Sequence, residues 1–269
     1  MKIGDQTLIV TSEHGSWVVL LIPMIIGIVS TKLISAEIIP LFFLVLFSFM
    51  LYKPSEILYY EWQSGRRKSQ KYQSAIVSFL VYGFFAAGFF VYEFLFLQKY
   101  LLLGFAAGAL LIFILSVNIK SSGKFSFLRE FLGVMILTAT APIAVYLLGN
   151  RITDDAITIW FLNILFFFSG TCYVNFLIEK ISRAKGKKLI TGIISAKNIH
   201  FIYHLALSIF LISFIVVFPD QYFKAVAFLP MVIHSITMYF SGRIITDFKK
   251  VGLTLLGYSL FFALFISMR

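Results

Sequence analysis

Charge is scarce in this chain, and negative charge scarcest of all. Twelve acidic residues stand against 23 basic ones in 269 positions, and charged residues make up 13% of the whole. So low a fraction excludes a disordered, solvated polymer. Cysteine is nearly absent. Cys172 alone excludes an internal disulfide and a cysteine-built metal cluster. There is no phosphate-binding glycine loop and no zinc-protease helix motif, which removes the common soluble catalytic classes. Aspartate never gathers into a cluster that would hold hard cations through several carboxylate oxygens.

Apolar residues fill the space thus left: they make up 60% of the chain, and 32 are phenylalanine. A bilayer core about 30 Å thick needs roughly 20 mostly apolar residues per helical crossing. By that measure the chain reads as an all-α polytopic membrane protein. About nine spans are expected, at 17–34, 38–52, 75–97, 100–117, 131–148, 156–178, 199–218, 223–240 and 251–268. They form a single transmembrane domain over 1–269 around a central cavity. Asp5 and Glu13 stand where a signal peptide would carry a basic segment, so the first helix is expected to be retained.

The net charge of +11 invites a nucleic-acid partner, but its placement answers to topology instead. With nine spans, every basic residue except Lys32, Lys99, Arg151, Lys224 and Arg269 falls on one side. The positive-inside rule makes that side the cytoplasm. The expectation is an inner-membrane protein with its N-terminus inside and C-terminus outside, with membrane lipids and no nucleic acid as partners.

Polar chain meets the first helix at 12–23, SEHGSWVVLLIP. Ser12 suits a helix N-cap, Glu13 suits the positive end of the helix dipole, and Trp17 suits a headgroup anchor. Pro23 and Gly27 loosen the helix behind them. Glu13, His14, Gly15, Trp17, Pro23 and Gly27 resemble the opening signature of the YwiC-like bacterial integral membrane proteins, and Arg129–Glu130 ahead of the fifth span fits the same pattern. Residues 51–73 read as an inner loop with a short amphipathic helix after Pro54, followed by the cluster Arg66, Arg67, Lys68 and Lys71, able to meet lipid phosphates.

Two segments, 12–118 and 129–240, open and close alike enough to read as a pseudo-repeat, with the ninth helix, 251–268, outside it. Gly83, Gly88, Gly104 and Gly108 read as close-packing positions. Glu93, near the outer end of its span, reads as an acid that snorkels or finds a local partner. His200 and His204, four residues apart, and His234 on the next span are the residues a haem or metal site would use.

Nine helices, an inside N-terminus and large inner loops after spans two and six look like the plan of the UbiA superfamily of intramembrane prenyltransferases. That resemblance implies a lipid channel and a prenyl diphosphate held through magnesium by aspartate-rich motifs in those loops. This chain departs from it, with only Glu56, Glu61 and Glu179 there. The function expected is therefore binding of an anionic or isoprenoid lipid in a cytoplasm-facing cavity, with divergent UbiA-like transfer as its enzymatic form. Glu13, His14 and Glu130 are the candidate catalytic groups, His14 as proton carrier because imidazole titrates near neutrality. Arg66, Arg67, Arg129, Tyr173 and Asn175 are the candidate substrate-binding groups. No resident metal or cofactor is specified by these residues. The alternatives are a transporter of a small anion or lipid and a haem- or metal-linked protein.

Overall fold

The computed structural model describes residues 2–3, 6–11, 14–119, 126–186, 195–241 and 245–268. Its helices are α1 (His14–Thr31), α2 (Ile38–Gln63), α3 (Gln70–Val91), α4 (Leu102–Asn118), α5 (Ser126–Thr138), α6 (Thr140–Gly149), α7 (Asp154–Ala184), α8 (Ala196–Val217), α9 (Tyr222–Val226), α10 (Leu229–Phe240) and α11 (Phe248–Ser267). A two-residue pair of antiparallel strands, β1 (Lys2–Ile3) and β2 (Gln6–Thr7), precedes them. Ile9 N–H then donates to Ser78 Oγ at 2.9 Å, which pins the leading segment across α3.

Six of these helical stretches are long and apolar enough to cross a bilayer: α2, α3 with its continuation to Phe96, α5 with α6, α7, α8 and α11. A seventh crossing is a bent pair, residues 219–226 with α10, turned by 53°. Pro230 explains the restart, since proline at the start of a helix forfeits no intrahelical bond. The first and fourth expected spans fall on shorter apolar helices, Gly15–Thr31 and Leu102–Asn118. At about 1.5 Å per residue these fall short of a bilayer core of about 30 Å. By length and composition alone, six of the nine expected crossings, or seven with the bent pair, meet the full length among the described residues. Side chains such as Phe84 and Val216, each 76% exposed, stand outward on α3 and α8, a surface that only lipid can solvate.

Two helices run further than the sequence pattern suggests. α2 continues through Pro54 to Gln63 and α7 reaches Ala184, so the loop expected at 51–73 is mostly helix. Ser55 Oγ donates to Leu51 O at 2.7 Å beside the proline, taking up a carbonyl where the ladder is disturbed. Tyr60 OH reaches Val117 O at 3.0 Å and Tyr59 OH reaches Asn118 at 2.8 Å, tying this extension to the end of α4. Inside the bilayer it is phenylalanine that joins α2 to α3: Phe47 stacks on Phe85 at 4.8 Å and Phe43 on Phe89 at 5.3 Å. Ring pairs of this kind contribute about 0.5–1.5 kcal/mol each. They matter more here than in water because lipid supplies no hydrophobic drive between helices.

The centre of the bundle is the pair α1 and α6. Ile22 and Ile26 of α1 and Ala141 of α6 join one apolar cluster with α7, α8, α10 and α11. Leu20 and Met24 of α1 and Ala144 and Leu147 of α6 join a second with α2 and α4. Thr140 Oγ1 donates to Leu20 O at 2.9 Å, in the turn before Pro23. Trp17, expected at the headgroups, lies edge-on to Phe49 of α2 with ring centres 4.8 Å apart. It is a packing residue between α1 and α2.

Among the described residues, glycine decides a helix–helix approach at one place. A Cβ on Gly27 would meet Ala141 O at 2.4 Å and Ala144 Cβ at 3.0 Å, so α1 and α6 approach through the missing side chain. The four glycines read as packing positions do no such work. A Cβ at Gly88 or Gly108 meets nothing within 4 Å, and at Gly83 or Gly104 its nearest neighbour is 3.7 Å away. Small residues alone do not make a contact. A helix must face them.

Cys172 is 1% exposed within the α7 core. A thiol so enclosed should stay unmodified by maleimide in the folded protein and react fully once it is unfolded, an outcome readable by mass spectrometry. Rapid labelling of the native protein would contradict this packing.

Candidate functional site

A cavity of about 1320 Å³ lies between the central helices, walled by α1, α2, α4, α5, α6, α7 and α11. Its charged and amide groups come from α2, α5 and α7. Tyr52, Lys53 and Glu56 approach from α2, Arg129 and Glu130 from the first turns of α5, and Asn175 from α7. Elsewhere the wall is mostly apolar, with Phe49, Phe105, Phe113, Leu137, Ile143 and Leu255 among its residues and Ser16, Thr140 and Ser259 as scattered hydroxyls. Gly104 and Gly108 belong to this wall, so their missing side chains add room to it.

The polar groups form two linked sets. The Arg129 guanidinium pairs with Glu56, while Lys53 Nζ reaches the other Glu56 oxygen at 2.7 Å. Glu56 is only 6% exposed. Beside them, the Asn175 amide donates to Glu130. The sequence pattern cannot align Arg129 and Glu130 on one helical partner, and the structure gives them different ones: α2 for the arginine, α7 for the glutamate. Two acids and two bases meet here, so the site is locally balanced in charge. A guest group must exchange with an existing pair.

The structure thus brings together Arg129 and Glu130 of α5 and Asn175 of α7, two separate segments, and Gly15 and Ser16 at the start of α1 line the same cavity. Glu13 lies outside the described residues, and of His14 only the backbone is described. Arg66 and Arg67 stand elsewhere. Arg66 faces Glu61 at 3.5 Å with its side chain 68% exposed, and Arg67 lies over Trp62. Tyr173, 1% exposed, turns away from the cavity into the core, where His234 Nε2 sits 2.9 Å from its hydroxyl. Sequence reasoning left out Glu56, Tyr52 and Lys53. The residues around Glu56 do show helical spacing, but nothing local tells that this helix continues the span and faces a residue 73 positions away.

The histidines are engaged in packing. His204 places Nδ1 2.8 Å from His200 O and Nε2 2.8 Å from Ser169 Oγ, which occupies both ring nitrogens. The His200 ring stacks on Phe176 with centres 4.8 Å apart. Among the described residues no group of three or more His, Cys, Asp and Glu side chains is placed to share a metal ion. The three glutamates of the expected loops are likewise separate: Glu56 serves Arg129, Glu61 serves Ser69, and Glu179 serves Arg183 and the Lys197 N–H. That arrangement does not fit a magnesium-bound diphosphate.

Fold and site together define a polytopic α-helical membrane protein with a large, mostly apolar intramembrane cavity that carries one polar cluster. The chain belongs to the YwiC-like family: the family model for YwiC-like protein matches residues 10–146. The match takes in α1 to α6 almost entirely, and with them Gly27, Glu56, Arg129 and Glu130, but not Asn175. No curated protein and no solved structure matches the chain.

Proposed function

We propose that this protein binds an amphiphilic lipid, anionic or isoprenoid, in the cavity, with the head group at Arg129 and Asn175 and the tail along the apolar wall. The observation that carries the reading is the combination of one polar cluster with an extended apolar lining in a single space of about 1320 Å³. Arginine presents a planar fork that matches phosphate oxygens in pairs, and Glu56 is the internal carboxylate that such a head group would displace. Lys53 then keeps Glu56 neutralised. Glu130, held by Asn175, is the one carboxylate of the site not tied to a cation. With Glu13 and His14 at the entrance of α1, it forms the set of proton-handling groups for any transfer chemistry. The basic residues at this end of the bundle support a cytoplasmic mouth in the inner membrane.

Thermal-shift measurements with phosphatidylglycerol and with prenyl diphosphates, each with and without magnesium, test the reading. A ligand at about a hundredfold excess over its Kd should stabilise the protein by about 2.7 kcal/mol. Gly108→Leu should abolish that gain by filling the cavity. Its own stability should change by less than about 0.5 kcal/mol, because a Cβ at this position meets nothing within 4 Å and the side chain is directed at the cavity that Gly108 lines. No stabilisation by either lipid class, or an undiminished gain in Gly108→Leu, removes the reading.

A further inference from the structure

At the end of the bundle away from Arg129 lies a second polar cluster that the lipid reading does not use. The five residues after α3, Tyr92–Phe96, form a π-helical turn, and Glu93 within it is completely buried. It does not snorkel, and it meets Lys99 only as a nearby charge. Among the described residues both carboxyl oxygens lack a hydrogen-bond partner. Gln98 then adopts a left-handed conformation, φ 56°, an uncommon state for a residue with a side chain. This turn leads directly into Lys99, which is 2% exposed. π-helical turns and strained residues concentrate where function requires them.

Lys99 is close to Glu93 in sequence but committed elsewhere. Its ammonium donates to Leu147 O and to Asn150 Oδ1, at the C-terminal end of α6, and stands 3.4 Å from Glu37. An ammonium has three N–H groups, and three acceptors already surround this one. Lys99 and Glu37 are the charges that act on Glu93. Lys32, Tyr92, Tyr100, Tyr146 and Arg151, the other titratable or charged side chains at this end of the neighbouring helices, make no hydrogen bond to its carboxyl. Two carboxyl groups therefore share one ammonium, and the more deeply buried of them receives no donor at all. An unsolvated, unpaired carboxylate is among the costliest groups a protein interior can hold.

We propose that Glu93 is a proton-binding site, loaded and emptied at the end of the bundle remote from Arg129, with Glu37 as its link to solvent. Glu37 fits that part because its side chain remains 34% exposed while facing Lys99. When the proton leaves, Lys99 is the nearest cation able to compensate, and it can do so only by loosening its hold on Leu147 and Asn150. Proton occupancy is thereby coupled to the anchoring of α6, one of the helices that line the cavity. The proposal stands whether or not a lipid fills that cavity.

Infrared difference spectroscopy of the full chain in lipid, recorded between acidic and alkaline buffer, tests this. The expected result is a carboxylic-acid C=O band that disappears as pH rises, is lost in Glu93→Gln and changes frequency in Glu93→Asp. Glu37→Gln should keep the band but slow its response to a pH jump. Superimposable difference spectra for the wild type and Glu93→Gln would overturn the proposal. If Glu93→Gln does not fold, an unshifted band in Glu93→Asp does the same.

Discussion

Gly27→Ala is expected to lower the stability of the protein by about 1–3 kcal/mol, the range of overpacking in a well-packed core. One methyl group produces this because its carbon would stand 2.4 Å from a backbone carbonyl oxygen, Ala141 O, which cannot rotate aside. α1 and α6 would have to part by roughly an ångström, and dispersion contacts at that spacing lose a quarter to a half of their attraction. The damage reaches both apolar clusters, since each draws on α1 and α6. Thermal or denaturant midpoints in detergent, compared with Gly108→Ala as a control that meets open space, provide the measurement. Equal midpoints for the two variants would show that the α1–α6 approach is looser than described.

Arg129→Ala is expected to abolish lipid-induced stabilisation and to weaken the unliganded protein as well. Truncating one partner of a buried charge pair costs about 2–5 kcal/mol, and Glu56 would be left with Lys53 alone on the cavity side. Arg129→Lys should recover part of the stability but little of the binding, because an ammonium cannot present the paired donors of a guanidinium. The double variant Arg129→Leu with Glu56→Leu separates the two effects. Replacing a buried ion pair by apolar residues is often neutral or stabilising, so this protein should fold well and still fail to respond to an anionic lipid. A full thermal response in the double variant would disconnect the ion pair from ligand recognition.

These two sites also show where sequence reasoning reaches its limit. Pro23 and Gly27 can be read as loosening α1, yet the structure makes Gly27 the point where α1 and α6 come together too closely for a Cβ. Its significance depends on what faces it, and Ala141 lies more than a hundred residues away. Arg129 and Glu130 can be singled out by resemblance, and Asn175 by its position at the end of a span. Glu56 drops out because a helix that passes through Pro54 looks like a loop to any rule that stops helices at proline. Tyr173 shows the converse. It shares a helix with Asn175 two residues on, and that offset turns it from the cavity into the core, against His234.

What the amino-acid order determines unaided is the class of protein: helices that need lipid, their approximate positions, and the YwiC-like pattern at the first span. Those properties are local, because whether a segment can cross a bilayer depends on its own length and apolarity. The partition of the core by α1 and α6, the pairing of Arg129 with Glu56 and the commitment of the Lys99 ammonium to Leu147, Asn150 and Glu37 were decided by tertiary structure alone. Each depends on which helical faces meet across long stretches of chain. In so uniformly apolar a sequence no periodic signal distinguishes a face that meets protein from one that meets lipid.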